Sequence, residues 1–246
     1  MKLKYFLLII IFCLFIPVLP INGQNTTSLD AITLTWSTNT YIPAEYSGKA
    51  LPTFGSKIEV VAIINDPNIN QQKALYSWSF FRNNYLQERI TEKGKQTFNF
   101  DIGNSIYNIY SIELEIQDEQ SNIIGQSQSI SIKPIKPQII LQSKLTAFDY
   151  SNINLKKYHA FPNQTIEFKA TPYFFGTQNI DELNYDWRFG QEKATQSINS
   201  ENPNIFKLKI SESINTISKD IQLFVENKNN SMQKTSAKAN LLIIGQ

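Results

Sequence analysis

Cysteine is almost absent from this chain: of 246 residues only Cys13 carries a thiol, and it lies in an N-terminal apolar run. Disulfide frameworks, thiolate metal sites and a cysteine nucleophile are excluded downstream of that run. Histidine is as scarce. His159 is alone, so it cannot supply the usual zinc set, and a Ser-His-Asp triad would need it held by a carboxylate. Its setting, Lys156-Lys-Tyr-His-Ala160, reads as a solvated loop. A charge of one sign is missing too. Without Lys2 and Lys4, 21 basic residues face 21 acidic ones, and no basic stripe of the kind nucleic acid requires is present. Glycine is sparse, at nine residues. After the N-terminus no segment is apolar enough to span a membrane, and no stretch of 12 or more residues keeps a helical period.

The N-terminus itself is informative. Lys2 and Lys4 precede twelve apolar residues, Tyr5 to Ile16, which Pro17 and Pro20 then break before Gly23. A basic start, a short apolar middle and a small residue at the cut describe a secretory signal. Twelve residues fall short of the roughly 20 that a membrane helix needs. We expect residues 1–23 to be a cleaved signal peptide. The alternative is an uncleaved anchor, which would be the chain's one contact with a membrane. Phe12 is too bulky to precede an acylated cysteine, so Cys13 reads as filler of the signal. An exported chain without disulfides is held by its cores alone, which fits a bacterial envelope. The remaining length suits about two domains.

What is present in quantity is a repeat. Tyr76-Ser-Trp78-Ser-Phe80 and Tyr185-Asp-Trp187-Arg-Phe189 share one aromatic-x-Trp-x-Phe pattern, 109 residues apart from Trp78 to Trp187. Alternation at period two is a strand with one buried face, and a Trp at its centre anchors a sandwich core. Sliding the chain by about that distance aligns the other strand candidates. Ile58–Ile64 meets Ile166–Pro172, Phe98–Ile102 meets Phe206–Ile210, and Ile112–Ile116 meets Ile221–Val225. Ile32–Trp36 and Ile139–Gln142 open the two units, and Ile130–Ile132 and Ala239–Ile243 close them. Polar turns at Asp118–Asn122 and Asn227–Ser231 separate the last two strands of each unit. About six short strands per unit predict an all-β fold of two tandem Greek-key β-sandwiches. Lys133-Pro134-Ile-Lys-Pro137 cannot lie in a central strand and stiffens a linker. The domains are therefore placed at 24–135 and 136–246, joined as a short rod.

The Tyr-x-Trp-x-Phe strand, preceded by an Ile-Glu-Phe-x-Ala strand and a loop, resembles the PKD domain and its bacterial Ig-like relatives. Tyr185-Asp-Trp-Arg-Phe-Gly190 is the nearest stretch. The likeness covers nearly all of the chain after the signal, once per unit. PKD domains continue Trp-Asp-Phe-Gly-Asp-Gly, whereas this chain has Arg188 and Gln191-Glu192 in one copy and Ser79 and Phe81-Arg-Asn83 in the other. The resemblance implies a non-catalytic spacer or adhesion module of exported proteins.

On this reading Trp78, Trp187, Tyr76, Tyr185, Phe80 and Phe189 are core. No catalytic residue, metal ligand or cofactor site stands out. Glu113 and Glu115 alternate on one strand face and Asp118-Glu119 follow; paired carboxylates can serve glycoside hydrolysis or calcium, but an outward strand face is the plainer reading. The candidate binding residues are Tyr173, Phe174 and Phe175, a run too dense for one core face. Such residues stack on sugars or anchor a protein. They can equally pack into the contact between the domains. Tyr41, Tyr46, Tyr107, Tyr110, Tyr150 and Tyr158 also fall in or near loops. Partners are expected to be a protein or glycan at the cell surface, bound through loops or sheet edges, and not nucleic acid. The alternatives are a carbohydrate-binding accessory protein, an acid-based hydrolase and a pilus or envelope subunit. Asn25, Asn163 and Asn229 lie in glycosylation sequons, as chance allows in an Asn-rich chain.

Overall fold

The computed structural model describes residues 32–145, 156–193, 201–211 and 215–245. The signal segment, Cys13, Asn25 and Tyr150 lie outside them. The regular structure of the described residues is strand, apart from one short 3-10 turn at Ile180–Glu182.

In the first unit, β1 (Ile32–Thr38), β2 (Lys57–Ile64) and β5 (Thr97–Asp101) form one antiparallel sheet in the order β1-β2-β5. The facing sheet runs β4 (Tyr85–Lys93), β3 (Leu75–Arg82), β6 (Tyr110–Gln117), and then β7 (Ile123–Gln126) and β8 (Ile130–Ile132), which share the far edge of β6. The chain crosses between sheets after β2, after β4 and after β5, the Greek-key path of an immunoglobulin-type sandwich. Ser127 bridges the break between β7 and β8. Its N–H donates to the Leu114 carbonyl at 2.8 Å, and its hydroxyl accepts from the Leu114 N–H at 2.9 Å. A side chain thus replaces one rung of the ladder.

The second unit repeats the plan. β9 (Gln138–Leu145), β11 (Thr165–Tyr173) and β14 (Ile205–Lys209) make the smaller sheet, with β11 central. β10 (Lys157–Ala160), β16 (Asn230–Ile243), β15 (Ile217–Asn227), β12 (Leu183–Phe189) and β13 (Glu192–Lys193) make the larger one. Only two residues separate β15 from β16, the tight hairpin that the polar turn demanded.

Alternation built both cores. Ile58, Val60 and Ala62 are buried on β2, as are Ile166, Phe168 and Ala170 on β11, while Glu59 faces water and Glu167 and Lys169 are half-buried. Trp78 and Trp187 are wholly buried. Each indole donates to a backbone carbonyl, of Lys95 at 2.9 Å and of Pro203 at 3.0 Å. Each stacks on the matching phenyl ring, Phe98 at 5.8 Å and Phe206 at 5.3 Å. The duplication therefore extends to the packing around the indole. Tyr76 is buried outright; Phe80, Phe189 and Tyr185 are half-buried against the same clusters. The two clusters share no residue.

Among the described residues each unit has eight strands, not about six. β4 was missed because eight of its nine residues are exposed, so no apolar alternation marks it. Its register with β3 holds it, with Ile90 packed against the core. The Lys156–Ala160 segment expected to be a loop contains β10, paired in parallel with β16. Tyr158 packs inward and Ala160 is buried, whereas Lys157 and His159 are exposed. Four residues are too few for the pattern to declare itself.

Candidate functional site

The aromatic run at the end of β11 is taken up by the joint between the two units. Phe175 is wholly buried in the second core and Phe174 is 5% exposed. The expectation that these two rings face a partner is thereby corrected: they pack inside the molecule. Tyr173 is half-buried. The ring of Tyr46, from the β1–β2 loop, meets Tyr173 at 5.6 Å and Phe174 at 5.7 Å, both edge-on. Beneath the rings the backbones clamp. The Tyr41 N–H donates to the Phe175 carbonyl and the Phe174 N–H to the Tyr41 carbonyl, each at 2.7 Å. Phe174 holds φ at 61°, a left-handed conformation that costs on the order of 1–3 kcal/mol for a non-glycine residue and persists only where surroundings enforce it. Here the enforcing partner belongs to the other unit.

A polar network lies alongside. Gln233 and Asn227 are 2% and 1% exposed. The Gln233 carbonyl oxygen accepts from the Gly176 N–H at 2.8 Å and from the Asn227 amide at 2.7 Å. Its Nε2 donates across the joint to the Phe54 carbonyl at 2.5 Å, which also receives Asn230 Nδ2 at 3.2 Å. Buried amides are tolerable only when every group is paired. Gly176 is required here: a Cβ would stand 2.6 Å from Gln233 Nε2. The linker adds one bond, from the Ile135 N–H to the Pro52 carbonyl at 2.9 Å, and Pro134 and Pro137 are buried.

The joint is also phenol-rich. Burial, and then the neighbouring Tyr41 and Asp181, push the Tyr185 phenol well above its ordinary pKa. Its hydroxyl is screened from solvent without a hydrogen-bond partner. Burial and then Glu45 raise Tyr41; burial and then Glu45, Tyr41 and Tyr46 raise Tyr173. All three phenols stay neutral through the physiological range.

Of the other tyrosines, Tyr110 is buried at 6.0 Å from Phe80 and accepts the Gly103 N–H. Tyr158 packs edge-on against Phe168. Among the described ones of those named, Tyr107 alone is widely exposed, at 83%. Sequence reasoning passed over three exposed rings, Tyr85 beside the β3–β4 turn, Phe161 just after β10 and Phe224 on β15. Phe224 had a signal: it occupies an outward position between the inward Leu223 and Val225.

The carboxylates have local employment. Asp118 accepts from the N–H groups of Gln120 and Asn122 and from the Asn122 amide, and these bonds, those of Asn122 first, lower its pKa. Glu119 pairs with Lys93, Glu182 accepts the Thr177 hydroxyl at 2.6 Å, and Asp186 pairs with Arg188 at 2.8 Å. Glu113 and Glu115 lie half-buried on the outer face of β6. Among the described residues no three His, Cys, Asp or Glu side chains gather as metal ligands, and no helix is long and apolar enough to cross a membrane.

No protein-family model and no curated protein matches the chain. Among solved structures, it is similar to the three N-terminal domains of the highly immunogenic outer capsid protein of bacteriophage RB49. That match has 13% identity over 87% of this chain and 59% of that one, with a TM-score of 0.45. It is also similar to dimeric latent PorU of Porphyromonas gingivalis (8% identity, 87% and 24% coverage, TM-score 0.27). A third is SGBP-B of the Bacteroides ovatus mixed-linkage glucan utilisation locus, solved with a heptasaccharide (9% identity, 88% and 61% coverage, TM-score 0.22). The chain spans less than two thirds of each of these structures.

Proposed function

We propose that the chain is a non-catalytic, exported module of the cell envelope or surface. Two PKD-like sandwiches act as a stiff spacer that presents loops and sheet edges to a protein or glycan. The observation that carries this reading is the joint. A backbone clamp at Tyr41, a strained Phe174 and a buried Gln233 network hold one unit against the other. Flexible tandem domains need none of these. The surplus aromatics that suggested a binding loop serve rigidity. The edge strand β4 carries Glu88, Arg89, Glu92 and Lys93, and alternating charge discourages unplanned edge pairing.

Small-angle scattering of the purified full chain tests the reading. A stiff spacer gives one elongated shape whose maximum dimension does not change with salt. A broad ensemble of domain orientations would refute it. Cell fractionation tests export, and recovery of the chain in the cytoplasm with its first 23 residues intact would refute that part.

A further inference from the structure

We propose that the cleft beside the joint binds an acidic oligosaccharide built of uronate units. The proposal rests on the fixed joint argued above, because the cleft takes walls from both units. The first unit contributes Phe54 and the linker Lys136; Asp186, Phe224, Met232 and Lys234 come from the outer face of the larger second sheet. Its volume is about 560 Å3. That lies within the range of small-ligand sites, which favour domain interfaces. A few sugar rings match it.

The floor is apolar where a solvated sheet face should be polar. Phe224 is 42% exposed and Met232 41%, and neither belongs to a core cluster. The Arg188 guanidinium lies 4.9 Å over the Phe224 ring. Phe224 itself lines the cleft, whereas Arg188 does not. The C–H face of a pyranose stacks on such a ring, and its hydroxyls reach the polar rim. Charge then selects among sugars. Asp186 is neutralised by Arg188. Among the described residues neither Lys136 nor Lys234 forms an ion pair. Glu226 is the one other acid of the lining. Lys234 stands opposite Glu226 across the β15–β16 pair, which leaves Lys136 as the lining cation with no facing carboxylate, and such a cation favours a ligand that carries carboxylates of its own.

Calorimetric titration of the full chain, as its host processes it, uses hexamers of galacturonate, mannuronate and hyaluronan. The methyl ester of the galacturonate hexamer is the uncharged control. At low salt at least one uronate hexamer binds, and its affinity falls as salt is raised through the range where screening shortens to about 8 Å. Phe224→Ala weakens binding at least tenfold. Lys136→Gln with Lys234→Gln does the same and abolishes any preference over the methyl ester. Lys238→Gln, whose lysine pairs with Asp220 instead, leaves binding unchanged. No binding of any of the three, equal binding of the ester, or binding indifferent to Phe224→Ala overturns the proposal. Scattering on the same samples separates the two readings. A closed joint without binding removes the cleft and leaves the spacer standing; an open joint removes both.

Discussion

Gln233→Glu is the sharpest probe of the joint, because it alters one bond and keeps the shape. The side-chain carbonyl oxygen accepts two bonds from within its own unit, from the Gly176 N–H and the Asn227 amide. A carboxylate keeps both. The amide nitrogen donates across the joint to the Phe54 carbonyl at 2.5 Å. A carboxylate oxygen there donates nothing and faces another acceptor. Losing a hydrogen bond of about 1 kcal/mol and leaving the inserted carboxylate oxygen shielded without a donor at about 1–3 kcal/mol gives roughly 2–4 kcal/mol, while the Phe54 carbonyl keeps the Asn230 amide. At 1.4 kcal/mol per decade that shifts the closed-to-open ratio roughly 30- to 700-fold. At pH 7 the variant should scatter as two loosely tethered bodies, with the second unit still folded by its near-ultraviolet dichroism. Acid reverses the effect. The protonated carboxyl can donate to Phe54, and burial also favours the neutral form, so its pKa in the closed state is raised. Closure is then fully favoured below the unperturbed value of about 4.3 and is lost as pH rises through the raised value. Scattering at pH 4 should show the rod restored. A variant that stays closed at pH 7, or is equally open at both pH values, would refute the argument that this bond sets the joint.

Gly176→Ala should loosen the joint as well, because the new methyl displaces Gln233 Nε2; we expect a loss of about 1–3 kcal/mol in urea titration of the second unit, and an unchanged midpoint contradicts the packing. Tyr185→Phe should raise stability by about 1 kcal/mol, since it removes a screened hydroxyl that has no partner. The same phenol has a raised pKa in the folded chain, so its contribution is complete below about pH 10 and erodes as alkali titrates it. Urea midpoints of the native chain should fall more steeply from about pH 10 upward than those of the variant. Trp78→Ala should cost about 3–5 kcal/mol in the first unit, with the Trp187 fluorescence transition moved far less; joint loss of both transitions would mean the two cores are not separate.

Alternation at period two made most of the fold legible. It marked the Trp strands, the β2 and β11 strands and the final hairpins, because each has one face on a core and one in water. It failed where a strand has no buried face or too few residues. β4 is nearly all exposed and exists because β3 offers it an edge, and β10 is four residues beside β16. The candidate site was half legible. Tyr173-Phe-Phe175 declared itself as more aromatic surface than one core face can take. What covered it was Tyr46, more than 120 residues earlier, and no local pattern records that pairing.

Two cores, their anchoring indoles and the polar turns between strands followed from residue order alone, since burial on a pleated strand depends only on neighbours two positions away. The joint was decided in three dimensions. Gln233 is an ordinary polar residue in the chain, and it becomes a buried hub only when Phe54, Gly176 and Asn227 converge on it. Phe224 likewise turns from an odd outward ring into part of a cleft lining only once Phe54 and Lys136 are brought beside it. Contacts between residues far apart in sequence depend on how two finished sandwiches dock, and that docking is written in surfaces that exist only after folding.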